Sequence, residues 1–160
     1  GASRVIAVDL HAEKLKLAKV FGATDVVDAS AGDPIAAVVD MTKGGVDYAF
    51  EAIGLAATAQ QAMQMIRPGR TAYLVGVPPA GSMVELPGLQ MAMQGRGLQG
   101  LFLGSNRFKR DIPMLAQLYI DGRLELDAMI ANRITLDEVN EGYEKMRLGT
   151  EARSVIVFDT

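Results

Sequence analysis

The residue with the clearest chemistry is Asp9, which closes the run Val5-Ile6-Ala7-Val8 and precedes a helical pattern by three residues. An unbroken run of β-branched and small apolar residues predicts a strand buried on both faces, as in a parallel sheet. A carboxylate at the carboxyl end of such a strand can accept hydrogen bonds from both hydroxyls of an adenosine ribose, as in dinucleotide-binding sheets. Hydrogen bonds to a charged acceptor contribute roughly 1.5–3 kcal/mol. A phosphate on the 2′ oxygen would meet like charge there, so Asp9 favours NAD over NADP. Position alone also allows a plainer role, capping the helix that follows.

Other residues offer less. The absence of cysteine excludes disulfides and thiolate metal sites, and the single His11 cannot build a zinc site alone. Gly44-Gly45 lies between a helix end and a strand start, which makes it a turn rather than a phosphate loop. Ile53-Gly54 follows a strand, and ligands of open parallel sheets sit at strand carboxyl ends. Ile53 would give a flat ring an apolar wall and Gly54 would let backbone approach closely; core and turn is the alternative. Lys14 could reach back over the ribose or remain a solvated surface lysine.

The elements that must position these residues alternate. Ala12–Phe21 reads as a helix with Leu15, Leu17, Ala18 and Phe21 inward and Gly22 beyond its end. Strands are predicted over 23–28, 46–51, 71–75, 82–87 and 98–103, the fourth of these at an edge. Helices are predicted over 34–42 behind Asp33, over 55–66 and over 89–94, with Arg67–Arg70 as a turn. The last third predicts a helix over Phe108–Tyr119 with Ile112, Leu115, Leu118 and Tyr119 inward. A strand near Asn132–Thr135, a helix from Leu136 behind a Thr135/Glu138 capping box, and a strand over Arg153–Phe158 follow. Strand–helix alternation of this kind makes a doubly wound, Rossmann-type parallel α/β sheet.

The Gly-rich strand-to-helix loop that normally opens such a sheet is absent from the sequence. The expectation is a fragment or processed product cut upstream of the second strand. Its central first strand would then be missing, leaving the sheet weakened or forced into a substitute pairing. Net charge is −3, which gives no electrostatic reason to expect nucleic acid or an anionic membrane as partner. No apolar run reaches the length of a membrane span and no signal peptide is visible, so a cytoplasmic location is expected.

By Val75-Gly-Val-Pro-Pro79 the chain resembles the carboxyl-terminal half of a zinc-type alcohol dehydrogenase of the medium-chain dehydrogenase/reductase family. The motifs run in order: V-I-A-V-D at 5–9, F-G-A-T-D at 21–25, G-G-V-D-Y-A-F-E at 44–51, V-G-V-P-P at 75–79, the G-x-x-x-G ending at Gly104, N-E-G-Y at 140–143, and R-S-V-I-V-F at 153–158. The resemblance implies that Asp9 binds the adenosine ribose with Lys14 beside it, and that Ile53 packs on the adenine. The backbone groups of Val75, Leu101 and Leu103 would hold the nicotinamide carboxamide, with Gly76 in the same turn and Val77 near the ring. Arg153 would bridge to the pyrophosphate, a role that suits a planar fork; a solvated arginine is the alternative.

Residues 1–104 would form a truncated dinucleotide-binding domain, and 105–160 a segment that packs on it and returns to the catalytic domain. Zinc and its ligands would belong to the parent enzyme, and this chain alone would be inactive. The strands after Pro79 and around Leu101 resemble those that pair between subunits, implying a homodimer or homotetramer. A zinc-free quinone or enoyl reductase is the alternative within the superfamily, and a non-catalytic nucleotide-binding or dimerisation module is the alternative outside it.

Overall fold

Apolar runs too short for helices, separated by longer helical segments, fold as parallel ladders. The computed structural model describes residues 1–149 and 153–158 in two compact units, Gly1–Asn106 and Arg107–Thr160. The first unit runs β1 (Ile6–Asp9), α1 (Ala12–Val20), β2 (Asp25–Asp28), α2 (Pro34–Thr42), β3 (Val46–Glu51), α3 (Ala56–Met65), β4 (Ile66–Leu74), α4 (Gly88–Gln94) and β5 (Gly97–Gly100). All its pairings are parallel, in the orders β1-β2 and β3-β4-β5. This is the Rossmann-type α/β architecture that the alternation predicts.

The two ladders are not hydrogen-bonded to each other, and no substitute strand joins β1 to β3 among the described residues. Helices hold them instead. Val38 of α2 and Met65 of α3 are buried with Val27 of β2, and Ile6 and Val8 of β1 and Val46 of β3 pack on this cluster. Val46 also packs on the second cluster, Ala62, Met63, Ile66 and Ala72. Arg4 adds a polar tie, donating to both carboxylate oxygens of Asp25 (2.7 and 2.9 Å) and to the Met41 carbonyl (2.6 Å). That pair, with the Thr24 hydroxyl, holds the Asp25 carboxyl down at about 2.

Helix ends follow the sequence signals. The Asp33 side chain accepts from the Ile35 N–H (2.9 Å) and Pro34 occupies the first turn. Gly45, at φ +110°, packs so closely on the Met65–Arg67 backbone that a Cβ would lie 2.6 Å from the Met65 carbonyl oxygen. Two expectations for this unit change. Arg67–Arg70 is a bulge within β4 rather than a turn before it: pairing steps from Val46↔Ile66 to Tyr48↔Thr71 with Gly69 at φ +75°. Residues 82–87 form no strand, because among the described residues none pairs with them to complete a ladder. They are held by Gln60, whose Nε2 donates to the Glu85 carbonyl (2.8 Å), and by Leu86 against the core.

The second unit contains α5 (Phe108–Ile120), β6 (Asn132–Ile134), α6 (Val139–Leu148) and β7 (Ser154–Ile156), with β6 and β7 parallel. The Tyr119 hydroxyl donates to Asp127 (2.8 Å), tying the end of α5 to the turn after it. Of the four residues predicted to face inward on α5, Leu118 is half-buried while Ile112, Leu115 and Tyr119 are exposed. Thr135 and Glu138 do meet, with the Glu138 carboxylate accepting from the Thr135 N–H (2.7 Å) and hydroxyl (2.9 Å). The helix itself starts one turn later, at Val139, because residues 136–138 form a turn of their own.

Candidate cofactor-binding site

Parallel register brings the carboxyl ends of the strands side by side. Asp9 pairs with Asp28, while Glu51, Leu74 and Gly100 end β3, β4 and β5 in line. In open parallel sheets this edge is where ligands bind. It carries exposed apolar side chains: Ile53 after β3, Val77 after β4, and Phe102 and Leu103 after β5.

Asp9 is half-buried at the end of β1, and its Oδ1 accepts from the His11 N–H (2.9 Å). His11 is the cap position of α1, and among the described residues no amide of the helix's first turn donates to the Asp9 carboxylate. The capping role is therefore confined to a local turn, and the second carboxylate oxygen has no partner among the described residues. Asp28 lies beside it in register, its carboxyl lowered by hydrogen bonds from the Ser30 hydroxyl and N–H. Both strand ends are thus acidic. Lys14 is exposed on the first turn of α1.

The turn after β4 is Val75-Gly76-Val77. The N–H groups of Val75 and Gly76 both donate to the Glu51 carbonyl (2.8 and 2.9 Å), and the Leu101 N–H donates to the Leu74 carbonyl (2.9 Å). This leaves the carbonyls of Val75 and Leu101 and the N–H of Leu103 without a partner among the described residues. Leu103 sits at φ +46° and Ser105 at φ +52°, in a short 3-10 turn over Leu103–Ser105. Such non-glycine conformations are unfavourable by about 1–3 kcal/mol each and cluster at ligand sites. Arg153 belongs to the second unit, immediately before β7, where it is exposed beside a cavity of about 310 Å³ bordered by Ile134, Tyr143 and Met146.

The sequence reading missed Glu51. It appears there only as the last residue of a strand, yet it is 3% exposed and organises the turns on either side of it. The available signal was a charged residue closing an otherwise buried strand three positions before a glycine. Among the described residues no group of three His, Cys, Asp or Glu side chains could hold a metal ion, so no step through zinc is derived from them.

With this geometry, comparison with known proteins is specific. The chain belongs to the zinc-binding dehydrogenase family, whose model matches residues 1–117. It is 34% identical over 167 aligned positions to a class-3 alcohol dehydrogenase from Cereibacter sphaeroides, covering 99% of this chain and 44% of that protein. Among solved structures it is similar to benzyl alcohol dehydrogenase from Acinetobacter calcoaceticus, with 31% identity and a TM-score of 0.94 over 99% of this chain and 44% of that one. A zinc-binding dehydrogenase from Sinorhizobium meliloti, solved bound to NADP, matches with 32% identity and a TM-score of 0.89, covering 99% of this chain and 46% of that one. The chain therefore spans under half the length of the relatives it matches.

Proposed function

We propose that this chain is the NAD-binding portion of a zinc-dependent alcohol dehydrogenase, which moves a hydride between an alcohol and the nicotinamide ring. The observation that carries the reading is the half-buried Asp9 carboxylate at a strand end, with one oxygen left for a ligand. Exposed Ile53 supports an adenine wall next to it, with Lys14 over the ribose.

At the other end the backbone offers a matching set. A carboxamide has two N–H donors and one carbonyl acceptor. The Val75 and Leu101 carbonyls can accept the two donors, and the Leu103 N–H can donate to the acceptor. Gly76 keeps the turn close-packed and Val77 presents an apolar side chain toward the ring. When bound, the nicotinamide carries the hydride; the residues of this chain bind it, orient it and contribute apolar surface around it. Turnover by this chain alone with NAD, zinc and simple alcohols is not expected, and observing it would overturn the assignment. The outer edge of β5, unpaired among the described residues, supports assembly of two copies by strand addition.

The NADP-bound relative from Sinorhizobium meliloti favours a second reading, a preference for NADP. Charge weighs against it: the ends of both β1 and β2 carry carboxylates, and a 2′-phosphate would be repelled by both. NADH fluorescence titration tests the assignment. Saturable binding that weakens roughly 10- to 150-fold in Asp9→Ala is the expected result, corresponding to 1.5–3 kcal/mol of charged hydrogen bonding. Binding unaffected by that substitution would remove Asp9 from the site.

A further inference from the structure

Acidic side chains are rarely buried without a cationic partner, yet Glu51 is 3% exposed and makes no ion pair among the described residues. Five donors converge on it instead. Its main-chain carbonyl takes the N–H groups of Val75 (2.8 Å) and Gly76 (2.9 Å). Its side-chain Oε1 takes the N–H groups of Ile53 (2.9 Å) and Gly54 (2.8 Å) and the Thr58 hydroxyl (2.7 Å). The other oxygen, Oε2, is buried without a hydrogen-bond partner.

The two turns that supply these donors also touch each other. A Cβ on Gly76 would lie 2.2 Å from the Gly54 nitrogen and 2.7 Å from Glu51 Oε2, and one on Gly54 would lie 2.6 Å from the Val77 carbonyl oxygen. A buried carboxylate is poor value as a stability element, since apolar packing of the same volume avoids its desolvation. What it provides is geometry: three donors fixed on one oxygen, and two more on the carbonyl of the same residue.

We propose that Glu51 is a positioning residue that locks the turn after β3 and the turn after β4 into one rigid body. Affinity at the adenine end of a bound dinucleotide is thereby coupled to affinity at the nicotinamide end. The coupling to cofactor rests on the reading above; the locking of the two turns does not. Among the described residues the side chain takes hydrogen bonds only from residues 53, 54 and 58, while Oε2 lies against Gly76, so its chemistry reaches Val75–Val77 through packing at Gly76 and through the contact between the turns.

The test has two arms on the intact chain, using Glu51→Gln and the milder Thr58→Val, which removes one donor from the same oxygen. In the first arm, amide hydrogen exchange is followed by NMR without cofactor. Both variants should speed exchange at Ile53 and Gly54 and also at Val75 and Gly76, by about tenfold for Glu51→Gln, while Val27 of β2 stays protected. Faster exchange confined to residues 53–54, or spread equally to Val27, would overturn the locking. In the second arm, NADH and ADP-ribose, which lacks the nicotinamide, are titrated. NADH should lose about tenfold in affinity and ADP-ribose distinctly less; equal losses would overturn the coupling. Failure of the unsubstituted chain to bind NADH would remove the cofactor reading and with it the coupling, and the exchange arm would still decide whether Glu51 locks the turns.

Discussion

Gly76→Ala is the sharpest test of how the ligand-facing edge is built. Gly76 does not adopt a positive φ, so alanine brings no backbone strain of its own and the test is purely steric. The new methyl carbon would sit 2.2 Å from the Gly54 nitrogen and 2.7 Å from both the Gly54 Cα and Glu51 Oε2. Two of those three atoms are backbone, which cannot swing aside as a flexible side chain would. Overpacking by one carbon typically destabilises by about 1–3 kcal/mol, and backbone obstruction puts this case at the upper end. With an m-value of about 2 kcal/mol/M the urea midpoint should fall by roughly 1 M or more at unchanged slope. Gly32→Ala is the control, since a Cβ there meets nothing within 4 Å. It should stay within about 0.5 kcal/mol of the parent. NADH affinity should fall in Gly76→Ala because relieving the clash moves both turns. Equal urea midpoints for the two variants, with equal NADH binding, would refute the close contact between the turns.

Acid should expose the Arg4–Asp25 tie. The Asp25 carboxyl lies at about 2 against an ordinary 3.8, so its stabilisation is present above pH 4 and disappears as pH falls through 2. Asp25→Asn should flatten the fall in thermal midpoint across that window, and an unchanged slope would contradict the pairing. Ile66 is fully buried where α3 meets β4, and Ile66→Ala should destabilise by about 2–5 kcal/mol in urea unfolding. A change below about 1 kcal/mol would mean that this cluster is not the core of the first unit.

Local signals made much of the fold legible. The apolar run ending in Asp9, the Asp33-Pro34 helix start and the glycines beyond helix ends each act within a few residues, and each element forms where predicted, although β1 is half-buried rather than buried on both faces and Val5 is exposed. What escaped the sequence depends on distant partners. Residues 82–87 alternate like a strand, but a ladder needs a neighbour and none pairs with them among the described residues. Ile112, Leu115 and Tyr119 carry a helical apolar stripe, yet periodicity says only that a face wants cover and not what covers it. The bulge at Arg67–Arg70 is a matter of register between β3 and β4, which neither strand encodes alone. At the candidate site Asp9 and Ile53 could be placed because strand ends are readable. The burial of Glu51 could not, because it arises from two turns, at 52–54 and 75–77, that α3 and β4 separate in the chain.

The most direct test of the cofactor assignment is the ratio of NADPH to NADH dissociation constants, measured for the parent chain and for Asp9→Ala. If Asp9 holds the ribose, the parent binds NADH more tightly. The substitution then weakens NADH while NADPH is weakened less or gains, so the ratio collapses toward one. A parent that prefers NADPH, or a ratio that Asp9→Ala leaves unchanged, would contradict the assignment of this strand end as the ribose site.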